Sequence, residues 1–184
     1  MHTFWYYIFI FTYYSCIGWL FDTIYTRIYE GRWAKRGFHH GPFYMLYGWG
    51  ALASILTFNE QSALYFVIPA AILYSCIIEY SGSVLFEKFG MRYWDYTNNR
   101  INIHGRICLQ SISIFVLGIV TVIYLVQPLV RVWLTRMPST AIDMIGLTAF
   151  CYLFVWGIAR MRIQYRYFQE HRTIRSQAYD INEQ

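Results

Sequence analysis

Residues 63–86 read ALYFVIPAAILYSCIIEYSGSVLF, a run in which Glu79 is the only charged residue. A bilayer's hydrocarbon core is about 30 Å thick and takes about 20 helical residues to cross, so this run is long enough to span it. An ionised side chain within a span costs about 2.5 to 3.5 kcal/mol on insertion scales, and it therefore faces a partner, water or a functional pathway. The stretch thus sets both the fold class and the first residue to follow.

Four further segments repeat the pattern. Residues 4–25 and 107–127 are long and apolar, residues 42–58 are shorter and carry Gly48 and Gly50, and residues 142–159 are apolar apart from Asp143. With 57% hydrophobic, 21% aromatic and only 14% charged residues, the chain is more apolar than one soluble core of this size can absorb. The expected fold is all-α: a polytopic transmembrane bundle of about five spans over residues 1–160, followed by a basic amphipathic cytoplasmic tail at 161–184.

The basic residues orient the spans. Alternating from an outside N-terminus, one face receives Arg27, Arg32, Lys35 and Arg36, then Lys88, Arg92, Arg100 and Arg106, then Arg160, Arg162, Arg166, Arg172 and Arg175. The other face receives only Arg131 and Arg136. The positive-inside rule then puts the N-terminus outside and the C-terminus in the cytoplasm. The net charge of +5 reports this topology; the arginines suit anionic lipid headgroups, and no nucleic-acid module accompanies them. Residues 4–25 lack the basic leader and cleavage pattern of a signal peptide and are expected to remain as a helix. Cys16, Cys76, Cys108 and Cys151 show no CxxC spacing, so neither a disulfide framework nor a metal site is expected. No cofactor is implied.

Helical spacing gathers the polar residues. Ser15, Gly18 and Asp22 share one face of the first span, while Ser75, Glu79 and Ser83 recur every four residues in the third beside Gly82. These two stripes are candidates to pack together. Glu79 lies seven residues before Phe86, roughly 10 Å deep at 1.5 Å per residue; Asp22 is shallower.

Two loops on the same face carry the remaining chemistry. RGFHHGPFYMLYGWG at 36–50 combines Gly37, Gly41, Pro42 and Gly48 with aromatics, a composition for a fixed turn and close backbone approach, offering amides to an anion or simply re-entering the membrane. FGMRYWDYTNNRINIHGR at 89–106 holds Trp94, Asp95, Tyr96, Arg100, Asn102, His104 and Arg106, a density of hydrogen-bonding groups unusual for an interfacial anchor. Arg106 has two open roles: a pair with Glu79, or a fork for an anionic group.

GWLFD at 18–22, the 36–50 loop, Glu79 with Gly82, FG at 89–90, WDY at 94–96 and NIHGRICL at 102–109 together resemble the bacterial five-helix family of putative ABC-transporter type IV, or ABC transporter permease, proteins. The resemblance implies a small membrane subunit of a transport system. Within it, Asp22 stands where the family usually has Glu, His39 and His40 replace a more apolar pair, and Met45 and Leu46 replace Pro-Ile before Tyr47 and Gly48.

The expected function is that of a permease-like membrane subunit in the bacterial cytoplasmic membrane. Its inner-leaflet polar site would be made from Glu79, Asp22, Arg36 and Arg106, with Asp95, Trp94 and Tyr47 beside them. No GxxxxGK[ST] loop is present, so ATP hydrolysis falls to a separate ATPase, with a second membrane subunit or a second copy of the chain completing the pathway. Two alternatives stand beside this. One is a non-catalytic assembly or regulatory protein; the other is an intramembrane enzyme acting on a lipid-linked substrate, which lacks a recognisable catalytic signature and has no assigned catalytic residue.

Overall fold

The computed structural model describes residues 2–31, 43–88 and 92–182. Helix α1 (His2–Glu30) leads to α2 (Met45–Thr57) and α3 (Leu64–Lys88). A two-stranded antiparallel hairpin, β1 (Asn102–Ile103) and β2 (Ile107–Cys108), precedes α4 (Leu109–Thr121). A π-helical turn (Val122–Val126) joins α4 to α5 (Gln127–Thr135), and α6 (Ser139–Asn182) completes the chain. Stretches within α1, α3, α4–α5 and α6 are long and apolar enough to cross a membrane, whereas α2 is a shorter apolar helix. At 13 residues α2 extends about 20 Å, less than the hydrocarbon core.

Helix α3 is small and polar on its inner face, large and apolar on its outer one. Along α3 the buried positions are Val67, Ala71, Ser75, Glu79 and Ser83, while Leu73, Ile77 and Leu85 are more than half exposed. Lipid solvates the outer side chains as well as a protein core would, so helices gain by close approach of small residues rather than by hiding leucines. Several hydroxyls within the helices bond to the carbonyl four residues back, as Thr12 does to Ile8, Ser15 to Phe11, Ser54 to Gly50 and Thr148 to Met144. Such bonds satisfy a polar group where no water reaches it.

Helix α1 packs between α2 and α6, and α3 packs on α4 and α2. The small-residue stripe of α1 therefore meets α2, and that of α3 faces α4, correcting the expectation that the two stripes pair. Added Cβ atoms explain the first contact: one at Gly18 would overlap Tyr47, and one at Gly48 would overlap Ser15 and lie 2.8 Å from the Phe11 carbonyl. One core cluster then joins Phe9, Ile10 and Tyr14 of α1 to Ala51 of α2 and Val130 and Leu134 of α5. A second joins Val67 and Ala71 of α3 to Phe115, Ile119 and Ile123.

The fourth long helix begins later than its apolar run and ends further on. Residues 107 and 108 are strand, and Cys108 caps α4 in a reciprocal arrangement with Ser111. At the other end the chain stays helical through Pro128. Proline donates no N–H and its ring crowds the carbonyl four residues back; the helix widens immediately before it, with Gln127 N donating to Val122 O. The buried Gln127 side chain accepts a hydrogen bond from the Tyr14 hydroxyl at 2.8 Å, tying this π turn to α1. Helix α6 continues unbroken from the apolar stretch into the basic segment.

Candidate functional site

The C-terminal parts of α1 and α3, the N-terminal ends of α2 and α4, and the residue 92–108 loop meet at one end of the bundle. They enclose a cavity of about 620 Å³. Helix α1 contributes Phe21, Asp22 and Tyr25, α2 contributes Tyr47, α3 contributes Glu79, and α4 contributes Gln110, Ser111 and Phe115. The loop adds Arg92, Trp94, Asp95 and Tyr96.

Glu79 is only 8% exposed. Its Oε2 accepts a hydrogen bond from Ser111 Oγ at 2.8 Å, and the same hydroxyl accepts from Cys108 N at 3.2 Å. The cap of α4 is thereby linked to the acid of α3. Across the cavity, Gln110 Nε2 donates to the Tyr25 hydroxyl at 2.9 Å, joining α4 to α1. Tyr47 reaches in from α2 and stacks on Phe115, with centroids 5.9 Å apart and planes at 17°; Phe21 meets its ring edge-on at 6.3 Å.

The loop owes its shape to short-range polar bonds. Asp95 Oδ1 accepts from Thr97 N at 3.0 Å, Thr97 Oγ1 at 2.8 Å and Arg92 Nη2 at 3.0 Å. These donors, the Thr97 amide first, hold the Asp95 carboxyl below the ordinary aspartate range because each favours the charged form. The hairpin turns at His104 and Gly105, both with positive φ (53° and 65°), as a primed turn requires. A hydrogen bond from Arg106 N to Ile103 O closes it. Trp94 lies buried beneath, its Nε1 donating to Arg106 O at 2.7 Å.

Of the residues singled out in the sequence, Asp22, Tyr47, Glu79, Trp94 and Asp95 line this one cavity. Arg106 does not line it and is engaged elsewhere. Its guanidinium pairs with Glu87, donates to Ser83 Oγ at 3.1 Å and lies 5.6 Å from the centre of the Tyr80 ring. The bond to Glu87 holds the guanidinium above its ordinary value. Ser83 and Glu87 stand one and two helical turns beyond Glu79, so Arg106 meets the same face of α3 nearer its end. Gly48, expected in the turn before the second helix, lies inside α2, where its missing side chain admits Ser15. Arg36, Gly37, Gly41 and Pro42, with His39 and His40, lie outside the described residues.

Sequence reasoning passed over Gln110, Ser111, Tyr25 and Arg92. For Gln110 and Ser111 a signal existed: a polar pair opens an otherwise apolar span next to the loop, where a carboxylate from a neighbouring helix can find donors. The hairpin also had one, since two apolar-flanked runs surround a His-Gly dipeptide.

The fold and cavity define a multi-pass helical membrane protein with a polar chamber at one end of its bundle. The chain belongs to the family described as putative ABC-transporter type IV, which matches it over residues 9–160, a range that includes every cavity residue. No curated protein and no solved structure matches it.

Proposed function

We propose that this protein is a membrane subunit of a transport system, and that the cavity bounded by Asp22 and Glu79 is its binding chamber. The observation that carries the reading is the convergence of two carboxylates from separate membrane helices on one cavity. Acids at such depth are costly and mark a ligand path or a partnered site, and a chamber of this size lies within the range of small-molecule sites. The family's name points to transport, and the cavity supplies a physical place for it.

In this reading the cavity end faces the cytoplasm. Arg27, Lys88, Arg92, Arg100 and Arg106 all belong to segments at that end, and the excess of basic charge favours the inner side; the N-terminus is then outside and the C-terminus inside, in a bacterial cytoplasmic membrane. Arg106 acts by fixing the hairpin roof through Glu87 and Trp94. Asp95 shapes the same roof. Hydrolysis is supplied by a separate ATPase docking on the inner loops, and a second copy or another membrane subunit completes the pathway, because a single small bundle has too few helices to enclose one.

Purification of the full chain from its native membrane tests this. An ATPase should co-isolate, and nucleotide turnover should fall when Asp95→Ala and Arg106→Ala loosen the roof. A stable complex in which turnover ignores both substitutions would overturn the reading.

A further inference from the structure

Resting on the reading of this cavity as a binding chamber, we infer that α3, the hairpin and α4 form one arm, hinged at the end of the bundle remote from the cavity, that swings to open and close the chamber. Chain order sets the arm apart. The chain enters α3 at Leu64 from the short connection 58–63 and leaves α4 at Thr121 into the π turn. These two connections lie together, the Tyr124 hydroxyl donating to Ser62 O. The cavity sits at the opposite end, where the hairpin precedes α4. Its walls come from both sides: Asp22, Tyr25 and Tyr47 from outside the arm, Glu79, Trp94 and Gln110 from within it.

The arm is knitted to itself. Ser111 donates to Glu79, Arg106 binds Ser83 and Glu87, and the Tyr80 hydroxyl lies 3.0 Å from His104 Nδ1. Each bond joins α4 or the hairpin to α3, so the three move together. The core clusters divide along the same line: Val67, Ala71, Phe115 and Ile119 lie within the arm, whereas Phe9, Ile10, Tyr14, Ala51, Val130 and Leu134 lie outside it. The π turn belongs to both. Ile123 and Tyr124 pack with the arm's cluster, Val122 and Val126 with the other. A π turn beside a proline is also where a helix bends most readily, since Pro128 offers no N–H to the Tyr124 carbonyl. At the cavity, the arm meets the rest of the bundle through the Gln110–Tyr25 bond and through Phe115. The Phe115 ring stacks on Tyr47, and a Cβ on Gly50 would lie 2.6 Å from its Cε1. A flat ring over a glycine rolls without breaking a hydrogen bond. Ser111 lies twelve residues before Ile123, about 18 Å along the helix. A rotation of about 10° at the turn therefore moves the chamber wall by about 3 Å.

The test uses the full chain in lipid nanodiscs, with pairs of spin-labelled amino acids introduced genetically at exposed positions so that the native cysteines stay in place, and distances read by double electron–electron resonance. Ile28 with Leu85 spans the gap between arm and α1 at the cavity end, Phe4 with Tyr65 spans it at the hinge end, and Tyr65 with Leu109 lies within the arm. The cavity-end distribution should be wider than the other two by about 3 Å or more. Gln110→Leu, which removes the bond to Tyr25, should shift it to longer distance, and an oxidised Tyr25→Cys, Gln110→Cys pair should collapse it to the shorter one. The hinge-end and within-arm pairs should not move in either variant, and the within-arm pair also reports that the arm is still folded. The inference is overturned if all three distributions are equally narrow and neither variant shifts the first, or if the within-arm distance changes with it. Should the arm prove rigid while Glu79→Gln still lowers nucleotide turnover, the hinge fails and the transport reading stands. Should the cavity end move as expected while the assembled complex shows no turnover, the hinge stands and the transport reading fails.

Discussion

The bond between Ser111 Oγ and Glu79 Oε2 predicts a measurable energetic coupling between α4 and α3. Ser111 has one hydroxyl proton and two acceptors within reach, Glu79 Oε2 at 2.8 Å and Cys108 O at 2.9 Å. Its oxygen also caps Cys108 N. Ser111→Ala therefore loses a helix cap, worth about 1 kcal/mol, together with the donor to a buried carboxyl group. Stranding such an acceptor costs about 1 to 3 kcal/mol, so the total loss is about 2 to 4 kcal/mol. A double-mutant cycle separates the terms. In the Glu79→Leu background the cap is still lost but the acceptor is gone, and Ser111→Ala should cost only about 1 kcal/mol. The assay is equilibrium unfolding in mixed micelles for the four proteins, with a coupling of about 1 to 3 kcal/mol expected. Additivity within about 0.5 kcal/mol would refute the claim that Ser111 supports Glu79.

Other consequences follow from close contacts and from the loop. Gly48→Ala should lower stability by about 1 to 3 kcal/mol by forcing α1 and α2 apart, whereas Gly118→Ala, with nothing within 4 Å of its new Cβ, should be neutral or stabilising by up to about 1 kcal/mol; thermal melts of the pair check this. Gly105→Ala should cost about 1 to 2 kcal/mol for its left-handed backbone, with a further penalty because the Cβ would sit 2.6 Å from Thr97 Cγ2; increased hydrogen exchange across 92–108 reports it. Asp95 gives a pH dependence. Its folded pKa is lowered, so its contribution to loop order is present above the unfolded value near 4 and is lost as pH falls through the folded value. Trp94 fluorescence should show this acid transition in the parent protein and a flattened one in Asp95→Asn, and identical profiles would contradict it.

The helices were legible because the bilayer makes polarity conspicuous. One acid in an apolar run points to an inward position, and Glu79 lies inward for that reason. Small residues at Gly18 and Gly48 likewise foretold close approach, but not its partner. Period alone shows which face of a helix is small, whereas the identity of the facing helix depends on tertiary packing, and α1 met α2 rather than α3. Arg106 shows the same boundary. Charge complementarity suggested Glu79 or an anionic group for it, whereas the hairpin, turning at His104–Gly105, brings the guanidinium to Glu87. The π turn before Pro128 rests on a helix that extends past the apolar run, held by a buried Gln127–Tyr14 bond that no local pattern announces.

The central claim is that the carboxylates of the cavity act on a ligand. It is tested most directly by Glu79→Gln in the purified complex, measuring nucleotide turnover alongside thermal stability. The amide keeps an acceptor for Ser111, so the protein should stay folded and assembled while turnover falls by at least about tenfold, equivalent to about 1.4 kcal/mol. A folded, assembled and fully active Glu79→Gln complex would contradict the account.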